Sequence, residues 1–376
     1  MASTDRSRQF IGTYDTQNTH TFLVTPEPPE QNNPVMCNTR TAKLKDGREL
    51  QIAIHVYPIA PPEQMKLIRL WRTEWDKTEL DWLAAMNGDY SQTLTIHAVI
   101  GTIDGQPAGT ATVYRATEEP EVALVGSVLT HADFRGCGIA THLANTVVDI
   151  AFDAGCRVCF LGATRDPGSV YLRCGFEWWN GGVMRRAAAG FDDCESQFFA
   201  AGQTTSIRKA VWGDLAGMTC LVIQPLDCLV LDYPRAIHSG KYVALQWCVS
   251  NFPAVSYNVT ERGGAMCVLT GECAHRVLGF ATLTPERGSY RGHKAVIDLV
   301  THDHYDHCAA EMLAWLFSTG AERDVETVQA FVAVSDQKKL QWFQSVGLKP
   351  VAMLPGQLRI EGKLIDVQVL EGPIAR

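Results

Sequence analysis

Between residues 49 and 176, apolar residues recur at spacings that set out a definite order of elements. Glu49–Tyr57 has the β-branched and apolar content of a strand. The stretch from Pro61 to Trp75 opens on prolines and places Met65, Ile68, Trp71 and Trp75 three to four residues apart, which predicts a helix with one buried face. A second helix is predicted over Glu79–Met86. Leu94–Ile103 and Ala108–Tyr114 flank Asp104-Gly105, a dipeptide suited to a tight hairpin, and Glu121–Thr130 is a third run of strand character. After a glycine-bearing turn at Gly136–Gly138, Ile139, Leu143, Val147 and Ile150 share one helical face, and Gly155 is a natural stop. Val158–Leu161 then reads as a short buried strand and Ser169–Arg173 as a short helix closed by Gly175. Strands, helix, strand, helix is the order of an α/β unit with a mixed, mostly antiparallel sheet.

The second half of the chain repeats that order. Ala108-Gly109-Thr110-Ala111-Thr112-Val113 is similar to Leu278-Gly279-Phe280-Ala281-Thr282-Leu283, and Val128-Leu129-Thr130-His131 to Leu299-Val300-Thr301-His302. Farther on, Tyr171-Leu172-Arg173-Cys174-Gly175-Phe176 lines up with Phe343-Gln344-Ser345-Val346-Gly347-Leu348. Agreement at three sites in register indicates an internal repeat, and a repeat governs how every other segment is read. The expected division is an extended arm over residues 1–45, rich in Thr, Asn, Gln and Pro; a first domain over 46–190; a linker over 191–205; and a second domain over 206–376. Phe198-Phe199 indicates that part of that linker packs.

The chain's 376 residues exceed what one core usually organises, and 46% hydrophobic against 20% charged residues supplies enough apolar material for folded cores. A net charge of −8 without any long basic run argues against nucleic acid or an anionic membrane as partner. The twelve cysteines are scattered through apolar segments, which suits reduced thiols better than a disulfide framework. The N-terminus lacks an apolar stretch after its charges and no segment has the length of a membrane span, so a cytoplasmic location is expected.

Chemistry enters at Arg135-Gly136-Cys137-Gly138-Ile139-Ala140. Where backbone N–H groups converge at a helix N-terminus, several donors and the helix dipole point at one anion. Gly136 and Gly138 permit close approach, Ala140 leaves the first turn uncrowded, and Arg135 adds a fixed positive charge.

Thr130 to Ala140, followed by Leu143, resembles motif A of the GNAT acetyltransferase superfamily, R/Q-x-x-G-x-G/A at a strand-to-helix turn, with Arg135, Gly138 and Ala140 in the three defining places. Tyr171-Leu172-Arg173-Cys174-Gly175-Phe176 resembles the short helix ending in Gly-Phe that forms the family's second element. The resemblance covers roughly Glu49–Ala187. It implies two tandem GNAT-like domains, each a mostly antiparallel twisted sheet flanked by helices. It also implies acetyl-CoA, or another short acyl-CoA, as cosubstrate. By resemblance, amides of Arg135, Gly136, Cys137, Gly138, Ile139 and Ala140 hold the pyrophosphate, those near Leu129 and Thr130 meet the pantetheine and thioester, and Tyr171 gives a proton to the departing thiolate. The asparagine that many members carry between the two motifs has no counterpart in Thr164-Arg165-Asp166-Pro167-Gly168.

An amine nucleophile must shed a proton, and Glu121, His131, Asp133 and Glu177 are the candidate bases; family members often use a glutamate on that strand, which favours Glu121. Trp178-Trp179 are candidates for an acceptor cleft. The expected reaction is transfer of an acyl group to a primary amine of a small molecule by direct attack on the thioester, with a homodimer left open. A non-catalytic acyl-CoA binder, and a GNAT-fold thioester decarboxylase or O-acyltransferase, remain alternatives.

Opposite Arg135-Gly136-Cys137-Gly138 the second repeat reads Asp306-His307-Cys308-Ala309, and opposite Tyr171 stands Phe343. A carboxylate in place of the arginine and loss of both glycines oppose an anion there, so the second copy is expected to be degenerate. His302, His304, Asp306 and His307 also fit the H-x-H-x-D-H pattern of metallo-β-lactamase zinc hydrolases. No histidine follows His307 to complete such a site, so no metal is expected and the zinc hydrolase is a minor alternative.

Overall fold

Asp104 and Gly105 both have positive φ, 49° and 77°, the backbone of the tight hairpin that the dipeptide predicts. The strands they join are β3 (Leu94–Ile103) and β4 (Gln106–Ala116). The computed structural model describes residues 38–74, 80–163, 168–179, 182–226, 259, 263–286, 290–360 and 362–374. Trp75, most of the predicted arm and Thr164-Arg165-Asp166-Pro167 lie outside the described residues.

In the first half, β1 (Asn38–Lys43) and β2 (Glu49–Val56) precede helices α1 (Pro61–Trp71) and α2 (Leu80–Asn87). After β3 and β4 come β5 (Val122–Thr130), α3 (Ile139–Asp153), β6 (Val158–Gly162), α4 (Gly168–Arg173), β7 (Glu177–Trp178) and β8 (Val183–Ala187). The sheet order is β1-β2-β3-β4-β5-β6-β8-β7, antiparallel except where β5 runs parallel to β6. Asn38–Lys43 falls within the predicted arm yet pairs with β2 from Asn38↔Ile54 to Lys43↔Glu49. Its polar, exposed sequence carries no periodic signal, because an edge strand with no buried face does not need one. Met65 also departs from expectation: it is exposed, and α1 buries Leu67, Ile68, Leu70 and Trp71 instead.

The second half begins with α5 (Cys194–Phe198), β9 (Ser206–Lys209) and α6 (Leu215–Val222), then β10 (Ala265–Thr270), β11 (Val277–Pro285) and β12 (Lys294–Thr301). It ends with α7 (Ala309–Ala321), β13 (Thr327–Ala333), α8 (Gln337–Ser345), β14 (Lys349–Ile360) and β15 (Lys363–Pro373). This second sheet has the order β14-β15-β13-β12-β11-β10-β9, with β12 parallel to β13. The protein is thus mixed α/β, with two mixed sheets flanked by helices.

Details recur in both halves. His131 N–H donates to Ala108 O at 2.9 Å and His302 N–H to Leu278 O at 2.8 Å; Phe176 N–H reaches Tyr171 O at 3.0 Å and Leu348 N–H reaches Phe343 O at 3.1 Å. Each parallel pairing is three residues long, Val122–Leu124 on Val158–Phe160 and Lys294–Val296 on Thr327–Gln329.

One core spans the two halves. Every residue of α6 is buried, and the helix packs on β11 of its own half and on β4 and β5 of the other. Leu94, Ile96 and Leu124 belong to the same buried cluster as Leu221, Phe280 and Leu283. The segment 191–205 is no exposed tether, since Phe198 and Phe199 are buried. Beside this core, Arg276 grips Glu121 in a bidentate pair, Nε to Oε2 at 2.8 Å and Nη2 to Oε1 at 2.5 Å, while Arg157 reaches Glu121 Oε1 at 3.1 Å. Removing one partner of a buried pair strands the other's charge. Arg276→Ala is therefore expected to destabilise the protein by about 3 kcal/mol, the low end for such losses because Arg157 remains. A urea titration measures this, and an unchanged midpoint would mean that the apolar core alone holds the halves together.

Candidate functional site

The strand β5 starts beside β6 and then leaves it. Pairing stops at Leu124↔Phe160, and Ser127, at φ 48°, marks a bulge where the register with β4 shifts between Thr110 and Thr112. Such a bulge bends and twists its strand. Val128, Leu129 and Thr130 consequently line a cavity of about 510 Å³ in place of a ladder with β6.

At the end of β5 a 3-10 turn over Ala132–Phe134 leads into Arg135–Gly138. Gly136 and Gly138 take φ values of 84° and 95°, a conformation L side chains rarely adopt, and Gly138 is the residue on which α3 starts. The first turn of a helix leaves N–H groups without intrahelical acceptors, and that of α3 carries no acidic side chain to cancel its dipole. Arg135, Gly136, Gly138, Ile139 and Ala140 line the same cavity as Leu129 and Thr130. Cys137 differs: its thiol faces away toward Arg48, whose Nη2 lies 3.3 Å from Sγ.

Tyr171, from α4, lines the other side of the cavity with Val170 and Arg173. It is buried, edge-on to Phe176 with ring centroids 6.0 Å apart, and burial pushes its hydroxyl up to about 12. The ring therefore stays a neutral proton donor throughout the physiological range.

Two expectations change. Arg135 does not stand as an isolated cation, because its guanidinium pairs with Glu74, just beyond α1, and its Nε donates to Thr130 O at 3.3 Å. Glu121 is not at the reacting end. It precedes β5, about 30 Å along the strand from Thr130, where Arg276 and Arg157 hold it. Sequence reasoning placed it at the start of this strand without seeing which end faces the cavity. The other candidates also lie off the cavity lining. His131 Nδ1 accepts from Asp133 N–H at 3.4 Å, and Glu177 pairs with Arg185 at 2.8 Å. Trp178 is exposed, and Trp179 lies under Arg185 at 4.6 Å from its guanidinium.

Lys45 is a lining residue that sequence reasoning missed, as is Glu74. Lys45 sits in the turn between β1 and β2, and its N–H donates to Cys137 O at 3.3 Å. A lysine in a polar turn far away in sequence gives no signal of its own.

In the second half the corresponding turn is filled. Asp306 accepts from Thr301 Oγ1 at 2.9 Å and pairs with Lys338 at 2.9 Å, and Lys338 also reaches Asp303 at 2.7 Å. The histidines are engaged separately: His302 stacks on Phe199 with centroids 4.5 Å apart, and His304 Nδ1 lies 2.8 Å from Phe199 O. Among the described residues no group of three or more His, Cys, Asp and Glu side chains is arranged to hold a metal ion.

Backbone N–H groups at the N-terminus of a helix, opening on a strand that has parted from its parallel neighbour, have the chemistry to receive a phosphate-bearing group. The model of the Acetyltransferase (GNAT) family matches residues 63–176, which contain the turn, α3 and Tyr171. The chain carries a GNAT-family acetyltransferase domain over those residues. No curated protein matches the sequence. Among solved structures, similarity is found to a GNAT-family acetyltransferase from Streptococcus pneumoniae, with 16% identity and a TM-score of 0.37 over 46% of this chain and 100% of that one. A putative acetyltransferase from Salmonella typhimurium with its cofactor acetyl-CoA gives 15% identity and a TM-score of 0.38 over 46% and 95%. Spermidine N-acetyltransferase from Vibrio cholerae, in complex with CoA and spermine, gives 12% and 0.36 over 45% and 95%.

Proposed function

We propose that the protein transfers an acetyl or other short acyl group from coenzyme A to a primary amine of a small molecule, using one site in its first half. The observation that carries this reading is the single cavity whose lining includes both the Gly136–Ala140 turn and Tyr171. An anion cradle and a buried proton donor on one cavity suit a cosubstrate that is anionic at one end and releases a thiolate at the other.

The amides of Gly136, Gly138, Ile139 and Ala140, with the dipole of α3, hold the pyrophosphate. The backbone of Val128–Thr130, freed from β6, aligns the extended arm. The amine nitrogen forms a bond to the acyl carbon as the carbon–sulfur bond breaks, and Tyr171 gives its proton to the leaving sulfur before recovering one from solvent. Glu121 has no part in this, and the amine's own proton passes to water. Because thiols are kept throughout the described cysteines, a reducing, cytoplasmic setting fits this reading.

The second half is a degenerate copy of the same unit in this proposal, its turn closed by Asp306 and Lys338, and its role is to complete the shared core. The test is release of free thiol from acetyl-CoA against a panel of amines, with mass spectrometry of the product. Thiol release that depends on the amine and adds an acetyl mass to it supports the reading. Binding of acetyl-CoA without release to any amine would leave a non-catalytic binder, and release without an amine would point to hydrolysis, decarboxylation or O-transfer.

A further inference from the structure

The cavity's charge balance points to a second element of the cofactor site. Among the described residues three cations line it, Lys45, Arg135 and Arg173, together with one carboxylate, Glu74. Arg135 and Glu74 pair with each other, so the arginine that motif reasoning puts on the pyrophosphate is largely neutralised where it stands. Among the described residues no carboxylate pairs with Lys45.

Lys45 is also placed by the turn itself. Its N–H is bonded to Cys137 O, and its side-chain stem runs over Gly138: Cε, Cγ and Cδ lie 3.7, 3.8 and 4.0 Å from where a Cβ on Gly138 would stand. The neighbouring Arg48 bonds Cys137 Sγ and is itself held by Asp46 at 2.6 Å, which fixes the tip of the β1–β2 hairpin against the turn. The hairpin precedes residues 63–176 and so lies outside the matched family domain.

We propose that Lys45, delivered by the β1–β2 hairpin, supplies the positive charge that neutralises the cosubstrate's pyrophosphate at the Gly136–Gly138 turn. The role rests on the acyl-CoA reading above. Arg135 acts instead as a positioning residue, tying the segment after α1 to the end of β5 through Glu74 and the Thr130 carbonyl. The ammonium is a compact point charge on a flexible stem, suited to a diphosphate without requiring bidentate geometry.

Isothermal titration of acetyl-CoA into the full-length protein tests this with Lys45→Met, Lys45→Arg and, as a control for net charge, Lys43→Met on the exposed face of β1. Lys45 lies on an exposed turn, so the variants are expected to fold. Lys45→Met is expected to weaken binding about tenfold, as for loss of one charge-assisted hydrogen bond, and to flatten the salt dependence. Lys45→Arg should recover most of the affinity, and Lys43→Met should match the wild type. The same ratio between wild type and Lys45→Met is expected with 3′-dephospho-acetyl-CoA, because the stem lies over the pyrophosphate turn. Equal affinity of wild type and Lys45→Met overturns the proposal while leaving the acyl-CoA reading intact. Loss of the difference with the dephospho analogue overturns the pyrophosphate assignment, and a wild type that binds no acetyl-CoA overturns both readings.

Discussion

Gly138→Val is expected to reduce acetyl-CoA affinity by a factor of about 100 or more, from the loss of two or so charge-assisted hydrogen bonds. Gly138 holds φ 95° and ψ 5° at the point where α3 begins. A β-branched residue there is a conformational outlier costing on the order of 1–3 kcal/mol if the backbone stays in place. If the backbone relaxes, the amides from Gly136 to Ala140 no longer converge. The valine methyls would also meet the Lys45 stem, which already lies at contact distance from a Cβ. Gly138→Ala, whose single methyl that space accepts, should lose less. Calorimetric titration reads the affinity, and circular dichroism with a urea midpoint checks that the fold survives. A valine variant that binds within threefold of wild type would show that the turn is a structural bend and not an anion cradle.

The parts of the site legible in sequence were those encoded by local backbone demands. Gly136 and Gly138 take φ values that L side chains rarely adopt, and Asp104-Gly105 gives the hairpin away because Asp and Gly are the residues that tolerate positive φ in such a turn. The face of α3 was equally readable, since Ile139, Leu143 and Val147 are buried at helical spacing. What stayed hidden depends on pairings between distant segments. Glu74 with Arg135, Arg276 with Glu121, and Lys45 over Gly138 each join residues far apart in the chain. Charged side chains are common on surfaces, so nothing in their local sequence says which of them meet. The edge strand β1 was missed for a related reason: with no buried face, it leaves no alternation to read.

The similar order of elements in the two halves allows their turns to be compared within one molecule. Thr130 and Thr301 stand at equivalent strand ends, yet Thr301 Oγ1 donates to Asp306, and Lys338 then bridges Asp306 and Asp303. A carboxylate and an ammonium from the protein thus satisfy each other where, in the first half, an open turn faces a cavity. Phe343, at the place of Tyr171, is fully buried and has no proton to give. The absence of the glycines, the presence of the ion pair and the absence of the phenol set the second turn apart from the first.

That contrast sets up the second large effect, Tyr171→Phe, which places in the first half the residue the second already has. The change removes only an oxygen from a side chain packed against Phe176, so stability should scarcely move. Turnover should fall about 100-fold, the low end for loss of a general acid, because water can still protonate the leaving thiolate. KM for acetyl-CoA should stay close to wild type, since in the proposed mechanism the hydroxyl acts as the bond breaks and not in the ground state. Burial raises the hydroxyl to about 12, so Tyr171 remains protonated as pH rises through the ordinary tyrosine range near 10. The stability that the neutral buried phenol contributes is complete below about pH 10 and is lost between about 10 and 12. Any alkaline limb in turnover below pH 10 must then come from another group, and it should persist in Tyr171→Phe. Steady-state thiol release across pH 6 to about 10 separates these outcomes. A phenylalanine variant with wild-type kcat would remove Tyr171 from the chemistry and leave it a packing residue like its counterpart Phe343.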